Sequence, residues 1–278
     1  MTIIGAMAAP TRGSDMQLLC ATPTRNSHTI GARSGIMLSH QRLTMTTPVL
    51  TIDERSNIDA GTWFSRLSQP LRHAILSRAT VRRLPDGALM SARGAAAEEW
   101  CGVAKGAVRV SSVSLSGKQI TLTYVEPGTW FGDIALFDGL PRTHDANAHG
   151  ETTLLVVRKA DFKELLAQHT ELYEALLRLN CRRLRLMFDA VEDLNTRPLA
   201  SRLAKQILLL ARSYGIAQGE EIRIGLQLAQ EDLAQLLGAS RQRVNQELKG
   251  FERDGAVRIE PTRLVVLSKE KLLAIAGR

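Results

Sequence analysis

Between Gln230 and Glu252 the chain reads QEDLAQLLGASRQRVNQELKGFE, and Arg241, Gln242, Arg243, Asn245 and Gln246 crowd guanidinium and amide groups into one short stretch of it. These are groups that a base edge can recognise. A guanidinium can donate two hydrogen bonds to guanine, and a Gln or Asn amide can grip adenine with two. Such groups read sequence only if a rigid rod presents them on one face. The sequence supplies that rod. Asp232 to Leu237 suits a first helix, and Gly238 stands where the chain must turn with positive φ. Ser240 is a good N-cap for a second helix. Ala234 is small where the two helices would cross, and Leu233, Leu237, Val244 and Leu248 can form a shared core. The first residues of the second helix are then the base readers. From Gly255 to Leu267, Val257, Ile259, Leu264 and Val266 alternate around Pro261–Thr262, which predicts a hairpin wing with Arg258 and Arg263 placed for phosphates. A helix–glycine–helix alone would also suit a helical hairpin in an enzyme. The cap, the polar outer face and the wing agree on a reader of double-stranded DNA.

A second set of chemical groups lies in EPGTWFGDIALFDGLPRTHDA, residues 126–146. Gly132, Asp133, Ile134 and Ala135 can open a short helix whose free N–H groups attract an anion. Arg142 follows Asp133 by nine residues, and a fixed Arg beside such a turn can hold a phosphate. The nearby carboxylate can accept hydrogen bonds from ribose hydroxyls. The alternative is that Asp133 and Arg142 pair with each other and cap a loop. His144 and His149 flank this loop and read as surface residues.

The elements that must position these groups follow from periodicity. Residues 62–80 suit a short helical entry, with Trp63, Leu67, Leu71 and Ile75 every four residues. From about 81 to 160, apolar runs such as Val108/Val110 and Ile120/Leu122/Tyr124 alternate between glycine turns, which predicts a small closed or sandwiched β-domain. Asp161 to Leu166 opens a helical stretch. Thr170 to Leu194 then carries two apolar stripes, Leu172, Leu176, Leu179, Leu186 and Ala190, and Leu177, Cys181, Leu184, Phe188 and Val191. Both step by four and three, as a coiled-coil seam does. Two stripes need two partners: the β-domain, and the same helix of a second copy. The first stripe is taken as the homodimer seam; the alternative is a helix buried within one subunit. Leu199, Leu203, Ile207, Leu210 and Tyr214 form a further helix face that ends at Gly215, and Ile222, Ile224 and Leu226 alternate as a strand.

Size and charge bound the function. The 278 residues suit about two domains. The net charge is +8, and residues 196–278 hold 14 of the 36 Lys and Arg against 9 of the 28 Asp and Glu, while the middle of the chain is balanced. A basic C-terminal segment suits phosphate neutralisation. Cys20, Cys101 and Cys181 are too scattered for a disulfide framework or a zinc site and suit a reducing, cytoplasmic setting. No nucleophile–base pair, metal-ligand cluster or GxxxxGK[ST] loop points to an enzyme, and no long apolar run points to a membrane. The expected boundaries are a disordered extension at 1–48, a β-domain at 49–168, a connecting helix at 169–195 and a DNA-binding domain at 196–278. The Arg-rich, acid-poor start is also similar to an organelle transit peptide, and translation starting at Met45 would remove most of the extension.

Residues 60–278 resemble the cyclic-AMP receptor protein/Fnr (Crp/Fnr) family of bacterial regulators. WFGDIALFDGLPR, the helix after DFKELL, and QEDLAQLLGASRQRVNQELKGFE carry the resemblance, in that order. It implies an α+β fold: a cyclic-nucleotide-binding-like β-roll of jelly-roll topology, a long dimerisation helix and a winged helix-turn-helix. It also implies an effector-responsive homodimer on a pseudo-palindromic operator, with RNA polymerase as a partner. Gly132 and Asp133 match the family's ribose-contacting Gly–Glu pair, Arg142 its phosphate-binding Arg, and Thr143 the Ser beside it. Met187 and Phe188 stand where cyclic-AMP binders carry a Thr–Ser pair that contacts adenine. The hydroxyls are gone, which leaves cyclic AMP, another nucleotide such as cyclic di-GMP, or no ligand as alternatives. Arg183 and Arg185 lie on the same pocket side of the helix. The family's oxygen sensors hold an iron–sulfur cluster on clustered cysteines, which this chain lacks. Arg241 matches the leading guanine-contacting Arg, while Gln242 and Gln246 replace Glu and Arg, so the target sequence should differ. Similar β-rolls occur in regulatory subunits of enzymes and channels, the alternative function; the base-reading helix argues against it.

Overall fold

The computed structural model describes residues 49–115 and 117–277. The expectations for residues 1–48, the extension and the start at Met45, lie outside the described residues.

The chain enters through α1 (Ile52–Ala60), which the sequence reading missed. Its signal is local: Thr51 accepts from the Glu54 N–H at 3.2 Å and Glu54 accepts from the Thr51 N–H at 2.8 Å, a reciprocal capping box that satisfies two orphan donors. Glu54 then turns inward. It is 3% exposed, takes a 2.6 Å ion pair from Arg83 and accepts from the Thr153 hydroxyl at 2.7 Å. The stretch expected as one helical entry over 62–80 is split into a 3-10 turn at Phe64–Arg66 and α2 (Gln69–Arg78). Ser68 caps α2, and Pro70 fits only its first turn, where no N–H is needed.

A six-stranded antiparallel sheet follows: β1 (Thr80–Leu84), β2 (Leu89–Ser91), β3 (Glu99–Val113), β4 (Gln119–Val125), β5 (Trp130–Phe131) and β6 (Asp145–Arg158). The long strands β3 and β6 pair from Glu99↔Arg158 to Ser111↔Asp145, with register shifts on either side of Lys105. β1 and β4 extend this order, β2 joins β6, and β5 joins β3. This is the β-roll. Its core holds all three tryptophans, with Trp100 4.4 Å from Trp130 and 5.7 Å from Trp63, measured between ring centroids. Gly102 permits that packing, because a Cβ there would lie 2.7 Å from the Trp130 ring. Between β5 and β6 sits the short helix α3 (Ile134–Asp138).

After α4 (Lys159–Gln168), α5 (Thr170–Thr196) runs for 27 residues. Trp63 Nε1 donates to the Ala175 carbonyl at 2.9 Å and ties the entry segment to it. The seam expected on α5 needs correction. Leu172 and Leu176 are 0% and 1% exposed and belong to the β-roll core, and Leu179 packs against the same core. Apolar area spent inside the subunit is not available to a second copy. Leu186 is exposed at 60% and Ala190 is exposed too. The stripe left unpartnered is Leu177, Cys181, Leu184, Phe188 and Val191, all exposed.

The C-terminal domain contains α6 (Leu199–Tyr214), the hairpin of β7 (Gly215–Gln218) and β8 (Glu221–Ile224), α7 (Gln230–Leu237), α8 (Arg241–Arg253), β9 (Val257–Glu260), β10 (Arg263–Val266) and α9 (Lys269–Ala276). Its sheet runs β7-β8-β10-β9. The expected wing is β9–β10, in register at Arg263↔Glu260; β7 was not foreseen. Leu203, Ile207, Leu233, Val244, Leu248 and Val257 lie at its centre.

The Arg83 hydrogen bond on Glu54 holds its carboxyl at about 2, against an ordinary 4.5. A depressed folded-state value adds stability above about pH 4.5, and that stability is lost as pH falls toward 2. Glu54→Gln should lower Tm at neutral pH by a few degrees and flatten the acid limb of a Tm-against-pH curve; an unchanged acid limb would show that Glu54 does not anchor α1.

Candidate functional site

The effector-type groups assemble around the turn from β5 into α3. Gly132 has φ +93°, and a Cβ there would lie 2.7 Å from Arg142 Nη1, so only glycine admits this turn beside the guanidinium. Arg142 donates to the Gly132 carbonyl at 3.0 Å and to the Glu99 carbonyl at 2.5 Å. Its backbone N–H donates to Ala95 and its carbonyl accepts from Gly94, both at 2.8 Å, which fixes the loop. Gly132 and Arg142 are therefore brought together. Ile134 is 53% exposed and Ala135 is buried, while Thr143 is exposed with its hydroxyl 2.9 Å from His144 Nδ1.

Asp133 and Arg142 do not pair with each other. Asp133 is fully buried and faces α5. Arg183 Nη1 donates to its two oxygens at 2.9 and 3.1 Å, and Asn180 Nδ2 donates at 2.8 Å. Arg183 also donates to the Trp130 carbonyl. A buried carboxylate without such partners would cost several kcal/mol, so this clamp fixes the long helix on the β-roll. The sequence placed Arg183 on the pocket side without a role and missed Asn180. Their signal was the three-residue step that sets both on one helical face. Met187 and Phe188 are 62% and 64% exposed. This chain alone does not bring them to Gly132 and Arg142, and Phe188 belongs to the unpartnered stripe.

The DNA-type groups sit on α8. Gly238 ends α7 in the left-handed region at φ +63°, and Ser240 caps α8 by accepting the Arg243 N–H at 3.3 Å. The buried side of α8 is Val244, Leu248 and Phe251. Arg241, Gln242, Arg243 and Gln246 are exposed and Asn245 is half-buried at the edge of that face. On the wing, Arg258 donates to both oxygens of Glu221 at 2.9 and 2.7 Å, and Arg263 donates to the Gly225 carbonyl at 2.6 Å. Each would exchange these partners to reach a phosphate.

Three further residues join the domains. Tyr124 of β4 packs in the core of the C-terminal domain. His149, 4.8 Å from it between ring centroids, donates through Nε2 to the Gln227 carbonyl at 2.5 Å. Thr121 donates to Gln235 Oε1 at 3.1 Å. Tyr124 read as an ordinary strand position and His149 as a surface residue. Alternation cannot say which domain covers a strand face.

The fold and these two clusters define a two-module protein, a nucleotide-type β-roll joined by a long helix to a winged helix-turn-helix. Residues 81–169 match the cyclic nucleotide-binding domain and residues 201–275 the Crp-like helix-turn-helix domain. The chain is 32% identical over 188 residues to the CRP-like cAMP-activated global transcriptional regulator of Mycobacterium tuberculosis, covering 68% of this chain and 84% of that protein. It is 31% identical over 174 residues to the cyclic AMP receptor protein of Thermus thermophilus, covering 63% and 77% respectively. The crystal structure of TTHB099, a CRP-family transcriptional regulator from the same species, superposes with a TM-score of 0.61 at 25% identity over 71% of this chain and 97% of that one. The chain belongs to the Crp/Fnr family and is a DNA-binding transcriptional regulator. Its relatives include proteins named as a CRP-like global transcriptional regulator, an anaerobic regulatory protein and a global nitrogen regulator.

Arg183→Met should cost roughly 3–5 kcal/mol in urea unfolding, because it strands the Asp133 carboxylate. Adding Asp133→Asn should restore most of that loss; a double variant as unstable as the sum of the singles would show that the two do not interact.

Proposed function

We propose that the protein is a homodimer that reads a pseudo-palindromic operator with one α8 from each copy, under the control of a phosphate-bearing nucleotide at the β-roll. The observation that carries the DNA reading is α8 itself: a capped helix, locked by Val244 and Leu248 into the core, with Arg241, Gln242, Arg243 and Gln246 facing outward. Arg241 is the residue placed to grip a guanine. The alternative of a regulatory subunit leaves this face without a purpose.

The second copy is supported by the stripe on α5. Leu177, Leu184, Phe188 and Val191 are 65%, 49%, 64% and 55% exposed. Full burial of each such side chain is worth roughly 1.5–3 kcal/mol, and their four-and-three spacing is that of a two-helix seam. A helix of the partner on this stripe would bring Met187 and Phe188 into the interface and beside the effector turns. The effector is supported by the domain match and by the loop of Gly132, Asp133, Arg142 and Thr143. Relatives are named for cyclic AMP, and Arg142 is the group to receive a phosphate. With Met187 and Phe188 in place of hydroxyls, base recognition rests on apolar contact, so cyclic AMP and cyclic di-GMP are the ligands to compare. RNA polymerase is the proposed protein partner and the cytoplasm the proposed location; among the described residues no helix is long and apolar enough to cross a membrane.

Arg241→Ala should weaken specific operator binding by about 1–3 kcal/mol in gel shifts with genomic fragments while leaving non-specific binding nearly intact; unchanged selectivity would remove α8 as the reader. Leu184→Glu should yield monomers in sedimentation, and oxidation should link two copies through Cys181. An intact Leu184→Glu dimer without the Cys181 crosslink would place the seam elsewhere.

A further inference from the structure

One side chain at the edge of the reading face is already held. Gln230, the first residue of α7, donates through Nε2 to Asn245 Oδ1 at 3.0 Å, and both residues are half-buried. The pair stands on rigid footing. Asp232 Oδ2 accepts the Ala229 N–H at 2.8 Å and closes the start of α7, Ser240 closes α8, and the two helices share the core of Leu233, Leu237, Val244 and Leu248. The side chains of Arg241, Gln242, Arg243 and Gln246 make no hydrogen bond within the described residues.

An Asn amide offers an accepting oxygen and a donating NH2. A free Asn grips adenine with both, its oxygen taking N6–H and its NH2 meeting N7. With Oδ1 held by Gln230 and the NH2 making no hydrogen bond among the described residues, Asn245 is left to meet a base edge chiefly by donation. The base edges that suit a leading donor are those that present only acceptors, guanine O6/N7 and thymine O4. We infer that Gln230 is a positioning residue for base readout: it orients the Asn245 amide so that one operator position is read by donation and not by the paired grip on adenine. This rests on α8 being the DNA-reading helix.

The test selects operators from a randomised library with the full-length protein and three variants. Asn245→Ala identifies the position that responds. Glu at 230 can only accept, so Gln230→Glu draws the Asn245 NH2 to itself and turns Oδ1 outward. The base pair selected at that position should then change, by about tenfold in preference, to one that turns an exocyclic amine toward Asn245. Lys at 230 can only donate, so Gln230→Lys should keep the wild-type base pair. Charge at position 230 alters affinity for all sequences alike, because phosphate contacts carry no sequence information, so the ratio at one position is the readout. The same base pair selected by wild type and Gln230→Glu overturns the inference, and so does an operator in which no position responds to Asn245→Ala. If the wild-type protein selects no sequence at all, the DNA-reading assignment itself fails, which the experiment separates from failure of Gln230 alone.

Discussion

A carboxylate with no access to water ties the molecule together. Asp133 sits at the start of α3 and finds its partners across a domain element, in Arg183 and Asn180 of α5. Because a buried charge is tolerated only when paired and hydrogen-bonded, the turn that carries Gly132 and Asp133 and the helix that carries the apolar stripe hold one geometry relative to each other. Any ligand that approaches Gly132 and Arg142 therefore meets groups already committed to a particular setting of α5. The β-roll and α5 join the C-terminal domain at two places: along α5 into α6, and through Tyr124, which packs in that domain's core, and His149, which meets the Gln227 carbonyl.

The C-terminal domain solves a different problem, which is to keep polar groups pointing outward. A helix of mostly polar residues has little reason to form alone. α8 forms because Ser240 satisfies one of its orphan donors, the Arg243 N–H, and because Val244, Leu248 and Phe251 anchor one side. The polar side is left over by that arrangement, and it is this remainder that can meet base edges. In the free protein Arg258 is paired with Glu221 and Arg263 is engaged by the Gly225 carbonyl, so each must leave a partner to meet a phosphate.

Local rules made most of this legible in the sequence. The cap at Ser240, the turn at Gly238, the wing around Pro261–Thr262 and the glycine-punctuated β-domain each depend on neighbours close in the chain. The misses share one cause. Leu172 and Leu176 have the same spacing as a dimer seam, and periodicity cannot tell whether the facing surface belongs to the same subunit. Asp133 and Arg142 lie close in sequence and of opposite charge, yet each finds partners elsewhere, Arg183 fifty residues on for one and the Glu99 carbonyl for the other. Tyr124 and His149 obey strand alternation, but what they meet lies far along the chain, Gln227 being 78 residues after His149. Thr51–Glu54 is a different case: the capping box is local and readable, but the helix it starts has no strong apolar face.

The most direct test of the account is dimethyl sulfate protection on a genomic fragment that the protein binds. Two copies of α8 lying in successive major grooves should shield guanine N7 in two clusters about 10 base pairs apart on one face of the duplex. Protection confined to adenine N3 in the minor groove, or a single unpaired cluster, would contradict it.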